Sequence, residues 1–153
     1  MTTMMRRWIA FAALMSCSIV CVAQEKGNWR AASKTAYSTT GDLGFKEERI
    51  SISLSRFALA QIREVDAKEV AAVFANETTA FGPGNLYRVS IPGDKTFVTK
   101  NTICGGQETQ WLVIFVVGKT LRMAAFSGGK MPELTGEAMA SATNFCGTFA
   151  YTK

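Results

Sequence analysis

The chain has 153 residues, with 17 basic against 12 acidic side chains and no histidine. Without histidine, neither a Ser-His-Asp nor a Cys-His nucleophile can be assembled, and no His-bearing zinc site is open to it. The net charge of +5 is scattered along the chain and not gathered into the Lys/Arg stripe that nucleic acid requires, so no nucleic-acid partner is expected.

Arg6 and Arg7 make a short basic head, residues 8–22 an uncharged apolar run, and Cys21-Val22-Ala23 a small-residue cleavage site. This is the three-part pattern of an export signal. Residues 1–23 are read as that signal, cut after Ala23, with the periplasm as destination. The apolar run is about 15 residues, short of the ~20 that cross a bilayer, so no transmembrane span is expected after cleavage. A second reading makes the chain a lipoprotein. Leu14-Met15-Ser16-Cys17 loosely matches a lipobox with Cys17 as the lipidated residue, although Ser18-Ile19-Val20 is an odd, apolar tether. Losing the signal removes two arginines and no acid, leaving 15 basic against 12 acidic residues and a charge of +3. The remaining ~130 residues suit one domain with one hydrophobic core.

Residues 24–35 are polar and rich in small side chains, and read as a flexible N-terminal arm; a single β-rich domain is expected over 36–153. Tyr37-Ser38-Thr39-Thr40 is β-prone and stops at the turn pair Gly41-Asp42. In 48–57, Ile50, Ile52 and Leu54 alternate with Ser51, Ser53 and Ser55, the pattern of one half-buried strand. Asp66 and Glu69 form a capping box, and Val70, Val73 and Phe74 follow at helical spacing, which predicts a short helix near 67–75. Further strands are expected at 86–91, 96–100, 109–117, 120–126 and 145–151, with Pro92-Gly93-Asp94 as a tight turn and a second helical turn near 136–142. About seven or eight short strands with one helix predict a mainly β fold, a small antiparallel barrel or sandwich.

Cys104 and Cys146 are the only cysteines beyond the leader. In an oxidising compartment an even pair is read as a disulfide. The alternative is a redox pair or a reactive thiol, which favours a C-x-x-C spacing or a histidine neighbour, and both are absent. The glycines beside each cysteine, Gly105, Gly106 and Gly147, give the backbone freedom to form the bridge.

Gly118-Lys119 between two apolar runs is a hairpin turn. Pairing back from it sets Val117 against Thr120, Val116 against Leu121, Ile114 against Met123 and Leu112 against Ala125, a core face. The other face sets Trp111 against Phe126, Val113 against Ala124 and Phe115 against Arg122, and it is apolar too. A half-exposed hairpin should not be apolar on both sides. Either the 67–75 helix or the N-terminal arm covers this second face, or Trp111, Phe115, Arg122 and Phe126 form a binding face for a protein or a small apolar ligand.

Other motifs fail on context. Gly118-Lys119-Thr120 lacks the earlier glycine of a phosphate loop, since position 113 is Val. Ser127-Gly128-Gly129-Lys130 fits S-x-x-K, but two glycines would break the helix that motif opens. Glu47-Glu48 reads as a solvated pair, and Glu64, Asp66 and Glu69 as acids favouring a helix start. No catalytic residue, cofactor or metal ligand is expected.

Thr40-Gly41-Asp42-Leu43, Leu86-Tyr87-Arg88-Val89, the Asn101 to Gly106 run ending Cys-Gly-Gly, Trp111 through Phe115, Met123-Ala124-Ala125-Phe126-Ser127-Gly128 and Cys146-Gly147-Thr148-Phe149-Ala150-Tyr151 together resemble a group of small exported bacterial proteins without an assigned function. The resemblance spans roughly residues 36–153. It implies export and pairing of the two cysteines, and it transfers no catalytic residue. The function expected is that of an exported, non-enzymatic binding or envelope-associated protein. The alternatives are a small hydrolase using carboxylates or lysine, and a lipid-anchored structural protein.

Overall fold

The computed structural model describes residues 25–153. The expected export signal, its expected cleavage site and Cys17 lie outside the described residues. Nine strands form one antiparallel sheet: β1 (Gly27–Ala31), β2 (Leu43–Lys46), β3 (Arg49–Ile52), β4 (Ser55–Ala58), β5 (Ala60–Val65), β6 (Gly84–Ile91), β7 (Thr109–Val117), β8 (Thr120–Ser127) and β9 (Phe145–Thr152). Three short helices accompany them: α1 (Lys34–Thr39), α2 (Ala67–Phe74) and α3 (Gly136–Ser141). The order across the sheet is β4-β3-β2-β1-β9-β8-β7-β6-β5. The two strands at its ends are consecutive in the chain, parted only by Leu59, whose N–H donates to Glu48 O at 2.9 Å. One stretch of chain thus pairs with β3 through its first half and with β6 through its second, which curls the sheet into a nearly closed barrel.

Side chains alternate across the barrel wall. Trp29, Leu43, Phe45, Ile50, Ile52, Tyr87, Leu112, Ile114, Leu121, Met123, Phe149 and Tyr151 fill the interior. A second apolar layer lies outside, where α2, α3 and Leu134 cover β5 to β8. The hairpin β7–β8 has the register expected from Gly118, pair by pair from Val117↔Thr120 to Trp111↔Phe126. Gly118 itself sits at φ 60°, where a side chain would strain the turn. Helix α2 carries the expected capping box: Asp66 accepts from Glu69 N–H at 2.8 Å, and Glu69 accepts from Asp66 N–H at 3.1 Å.

Four local expectations are corrected. Of the arm expected at 24–35, the described residues 25–35 are not loose. β1 lies between β2 and β9, with Trp29 1% exposed and its indole N–H donating to Glu25 O at 2.7 Å. The β-prone Tyr37 to Thr40 stretch is helical, because Ser33 caps α1 by accepting from Ala36 N–H and Ala36 packs into the core. Residues 48–57 are two strands folded at Ser53 and Leu54, with Leu54 at the exposed tip. The strand expected at 96–100 is irregular chain, tied down by Thr99 and Asn101 side chains donating to Ser38 O and by Phe97 edge-on to Phe57.

Cys104 and Cys146 are bonded, with Cα atoms 4.9 Å apart and a sequence separation of 42. The bridge fastens the turn at 103–107 to the start of β9 and packs against the barrel interior. Closing a loop of that length is worth on the order of 4 kcal/mol in the chain-entropy account. Gly105 and Gly106 beside it sit at φ 60° and 93°. Gly147, paired with Ala125, borders the irregularity at Cys146 where β9 shifts register against β8.

Candidate functional site

The structure brings Trp111, Phe115, Arg122 and Phe126 together on the outer face of β7–β8, as the hairpin register requires. It does not leave them free. Phe115 and Phe126 are 2% and 0% exposed, and Trp111 is 8% exposed. Phe74 of α2 stacks at 4.9 Å on Phe115, Phe145 at 5.3 Å on Phe126, and the Trp111 indole N–H donates to Gly128 O at 3.0 Å. The expected binding face is therefore a second core, because an eight-residue amphipathic helix has no other apolar surface on which to lie. Arg88, the cross-strand partner of Trp111, places its guanidinium over that ring at 4.6 Å. Arg122 stays half-buried at the margin, in a shallow cleft with Thr78 and Val117.

Of the acids at the start of α2, Asp66 and Glu69 are engaged in holding structure. Arg63 donates to both Glu69 oxygens, at 2.7 and 3.0 Å. Those hydrogen bonds hold the Glu69 carboxyl below the usual carboxylate range. Ser127 is buried and donates to Gln107 Oε1 at 2.8 Å, whereas Lys130 is exposed and lies 3.6 Å from Glu133. The serine and lysine of the S-x-x-K match thus face different partners. Among the described residues no group of three His, Cys, Asp or Glu side chains could hold a metal ion, and no helix is long and apolar enough to cross a membrane.

Two of the remaining accessible features bear on binding, and neither was singled out from sequence. The first is a shallow groove of about 1130 Å³ over the outer face of β1–β4. Its floor is small and polar: Asn28, Gly44 and Ser51 stand in one cross-strand row that ends at Arg56. A Cβ on Gly44 would come within 3.1 Å of Asn28 Oδ1, so the floor is already filled at backbone level. Arg30, Lys46, Arg49 and Arg56 are exposed along the groove. The acids lining it are Asp42, whose carboxylate accepts from Ala31 N–H at 2.9 Å, and Glu47 in the β2–β3 turn. Ion pairs among the described residues are Arg63–Glu69 and Lys130–Glu133, so none of the four groove cations has a carboxylate partner there.

The second feature is a pocket of about 270 Å³ at the barrel end where β1 begins. Phe45, Leu59 and Tyr87 give it apolar walls, and Glu25 reaches into it. Burial, with the Glu25 charge next in effect, pushes the Tyr87 phenol well above its ordinary range. Periodicity could have placed Lys46, Arg49 and Arg56 on one face only if 48–57 had been recognised as a hairpin. Glu25 gave no signal, because its segment lacks the alternation that marks a strand.

Comparison with known proteins finds no match: no family model, no curated protein and no solved structure matches the chain.

Proposed function

We propose that the chain is an exported, non-enzymatic binding protein of the bacterial envelope, and that its β1–β4 groove seats the anionic headgroups of that envelope. The observation carrying this reading is the set of four cations, Arg30, Lys46, Arg49 and Arg56, along a small-residue floor without carboxylate partners among the described residues. Unpaired guanidinium groups present fixed donor forks that match phosphate and carboxylate geometry. The Cys104–Cys146 bond suits an oxidising compartment, and the leader at 1–23 fits delivery to it. A binding role is favoured over a hydrolytic one because histidine is absent and Asp66 and Glu69 are occupied in capping α2.

The test is co-sedimentation with phosphatidylglycerol-containing vesicles. Each basic residue near an anionic surface contributes about 1 kcal/mol, and 1.4 kcal/mol is tenfold in affinity. Reversing two charges in Arg49→Glu/Arg56→Glu should therefore weaken binding at least tenfold, and raised salt should weaken the wild type similarly. Both residues are exposed, so the thermal transition should stay in place. Equal binding by the variant, or binding to uncharged phosphatidylcholine vesicles, would remove the basis for the reading. Preference for a soluble acidic polysaccharide over vesicles would overturn the choice of lipid.

A further inference from the structure

Glu25 is 4% exposed, yet among the described residues one of its carboxylate oxygens, Oε2, has no hydrogen-bond partner. Its other oxygen accepts from Asn85 Nδ2 at 2.9 Å, and Asn85 is itself oriented by Gln61, whose side chain donates to Asn85 Oδ1 at 2.8 Å. The carboxylate is thus fixed in the wall of the barrel-end pocket, beside the Tyr87 hydroxyl. A buried anion left half-satisfied is costly and is normally retained where something completes it. Completion requires a donor, and the surroundings select a positive one. Among the described residues, Glu47 and Glu48 stand at the rim against one lining cation, the exposed Lys26. The nearby Lys153 ammonium is engaged over the Trp29 ring at 4.6 Å. Phe45, Leu59 and Tyr87 leave apolar wall for the rest of a ligand.

We propose that this barrel end is a binding site for a primary ammonium group carried on a short apolar chain. The ammonium donates to Glu25 Oε2, and the alkyl part lies against Phe45 and Leu59. This site borders the β1–β4 groove, with Phe45 and Glu47 lining both, but does not depend on its reading. Its chemistry is opposite in sign, so one chain would take an anion on its outer wall and an organic cation at its mouth.

The probe is pentylammonium, titrated into the natively processed protein and followed by the Tyr87 ring and Asn85 side-chain NMR resonances and by calorimetry. Saturable shifts at both residues are expected, with 1-pentanol giving none at equal concentration and tetramethylammonium, which has no N–H, binding at least tenfold more weakly. Glu25→Gln keeps the shape of the side chain and should raise the dissociation constant at least tenfold, whereas Glu47→Gln at the rim should change it less than threefold. No saturable shift in the wild type, equal binding of pentanol, or undiminished binding by Glu25→Gln would overturn the proposal. Should Glu25→Gln fail to fold, the wild-type comparison of pentylammonium with pentanol and tetramethylammonium decides it alone. Shifts that appear only in Lys26→Ala would show that the chain's own lysine fills the site, and would overturn it as well.

Discussion

Tyr87 and Tyr151 are both buried, and the Tyr151 hydroxyl bonds with Thr40 Oγ1 at 2.7 Å inside the barrel. Burial raises both phenols above their ordinary range. The unfolded chain ionises its tyrosines near pH 10, while the folded chain holds these two protonated. Above that pH the native state binds more protons than the unfolded state, so stability falls as pH rises and is fully present below pH ~10. Each phenol contributes a slope of about 1.4 kcal/mol per pH unit. Urea midpoints at pH 9, 10 and 11 should therefore drop increasingly, and the drop should shrink by about half in Tyr151→Phe. A flat profile would mean that the phenols reach water. Single-residue facts of this kind are the least legible from sequence. Ser53 and Glu47 take φ 52° and 56° at the tips of two-residue hairpin loops. Neither is the Gly, Asn or Asp that announces such a turn, so nothing in 48–57 marked the fold at Ser53. Glu25, buried and half-satisfied, gave still less warning.

At the scale of elements, legibility followed the strength of the local signal. The β7–β8 register could be written in advance because one glycine turn and a period of two fix every pair. The capping box placed α2 correctly for the same reason: two side chains satisfy two backbone donors at a fixed spacing. What the spacing could not decide was whether α2 covers the hairpin's outer face, since that depends on the path of residues 75–83. The covering has an energetic consequence. Trp111 loses its packing, its bond to Gly128 O and the Arg88 stack when truncated. Trp111→Ala should cost about 3–5 kcal/mol, as for other buried aromatic residues. Arg122→Ala, at the half-exposed margin, should stay within about 1 kcal/mol. Chemical denaturation of the two variants checks this. Equal, small losses would return the hairpin face to solvent and restore it as a binding surface.

For the molecule as a whole, β1 decides whether there is one body or two. It is the strand that joins β2-β3-β4 to β9-β8-β7-β6-β5, through Gly27↔Phe45 to Trp29↔Leu43 on one side and Arg30↔Thr152 and Ala31↔Tyr151 on the other. Its composition, GNWRA, holds one large apolar residue, too few for an alternating pattern to register, so it reads as a polar arm. Its importance comes from partners far away in sequence, which no local window contains. A loose arm and a central strand make opposite predictions for a chain that begins at Ser33. Removing an arm would leave the unfolding transition where it was. Removing β1 exposes the edges of β2 and β9 and takes Trp29 out of the interior, where it is 1% exposed. The truncated chain should lose its near-ultraviolet circular dichroism and its cooperative transition, and should associate through the two bared edges, visible as a rise in light scattering. Supplying residues 25–32 as a separate peptide should restore part of the signal, because the missing strand pairs through backbone bonds on both sides. A truncated chain that stays monomeric and melts at the full-length temperature would contradict the barrel topology itself, and with it both the groove on β1–β4 and the pocket at the start of β1.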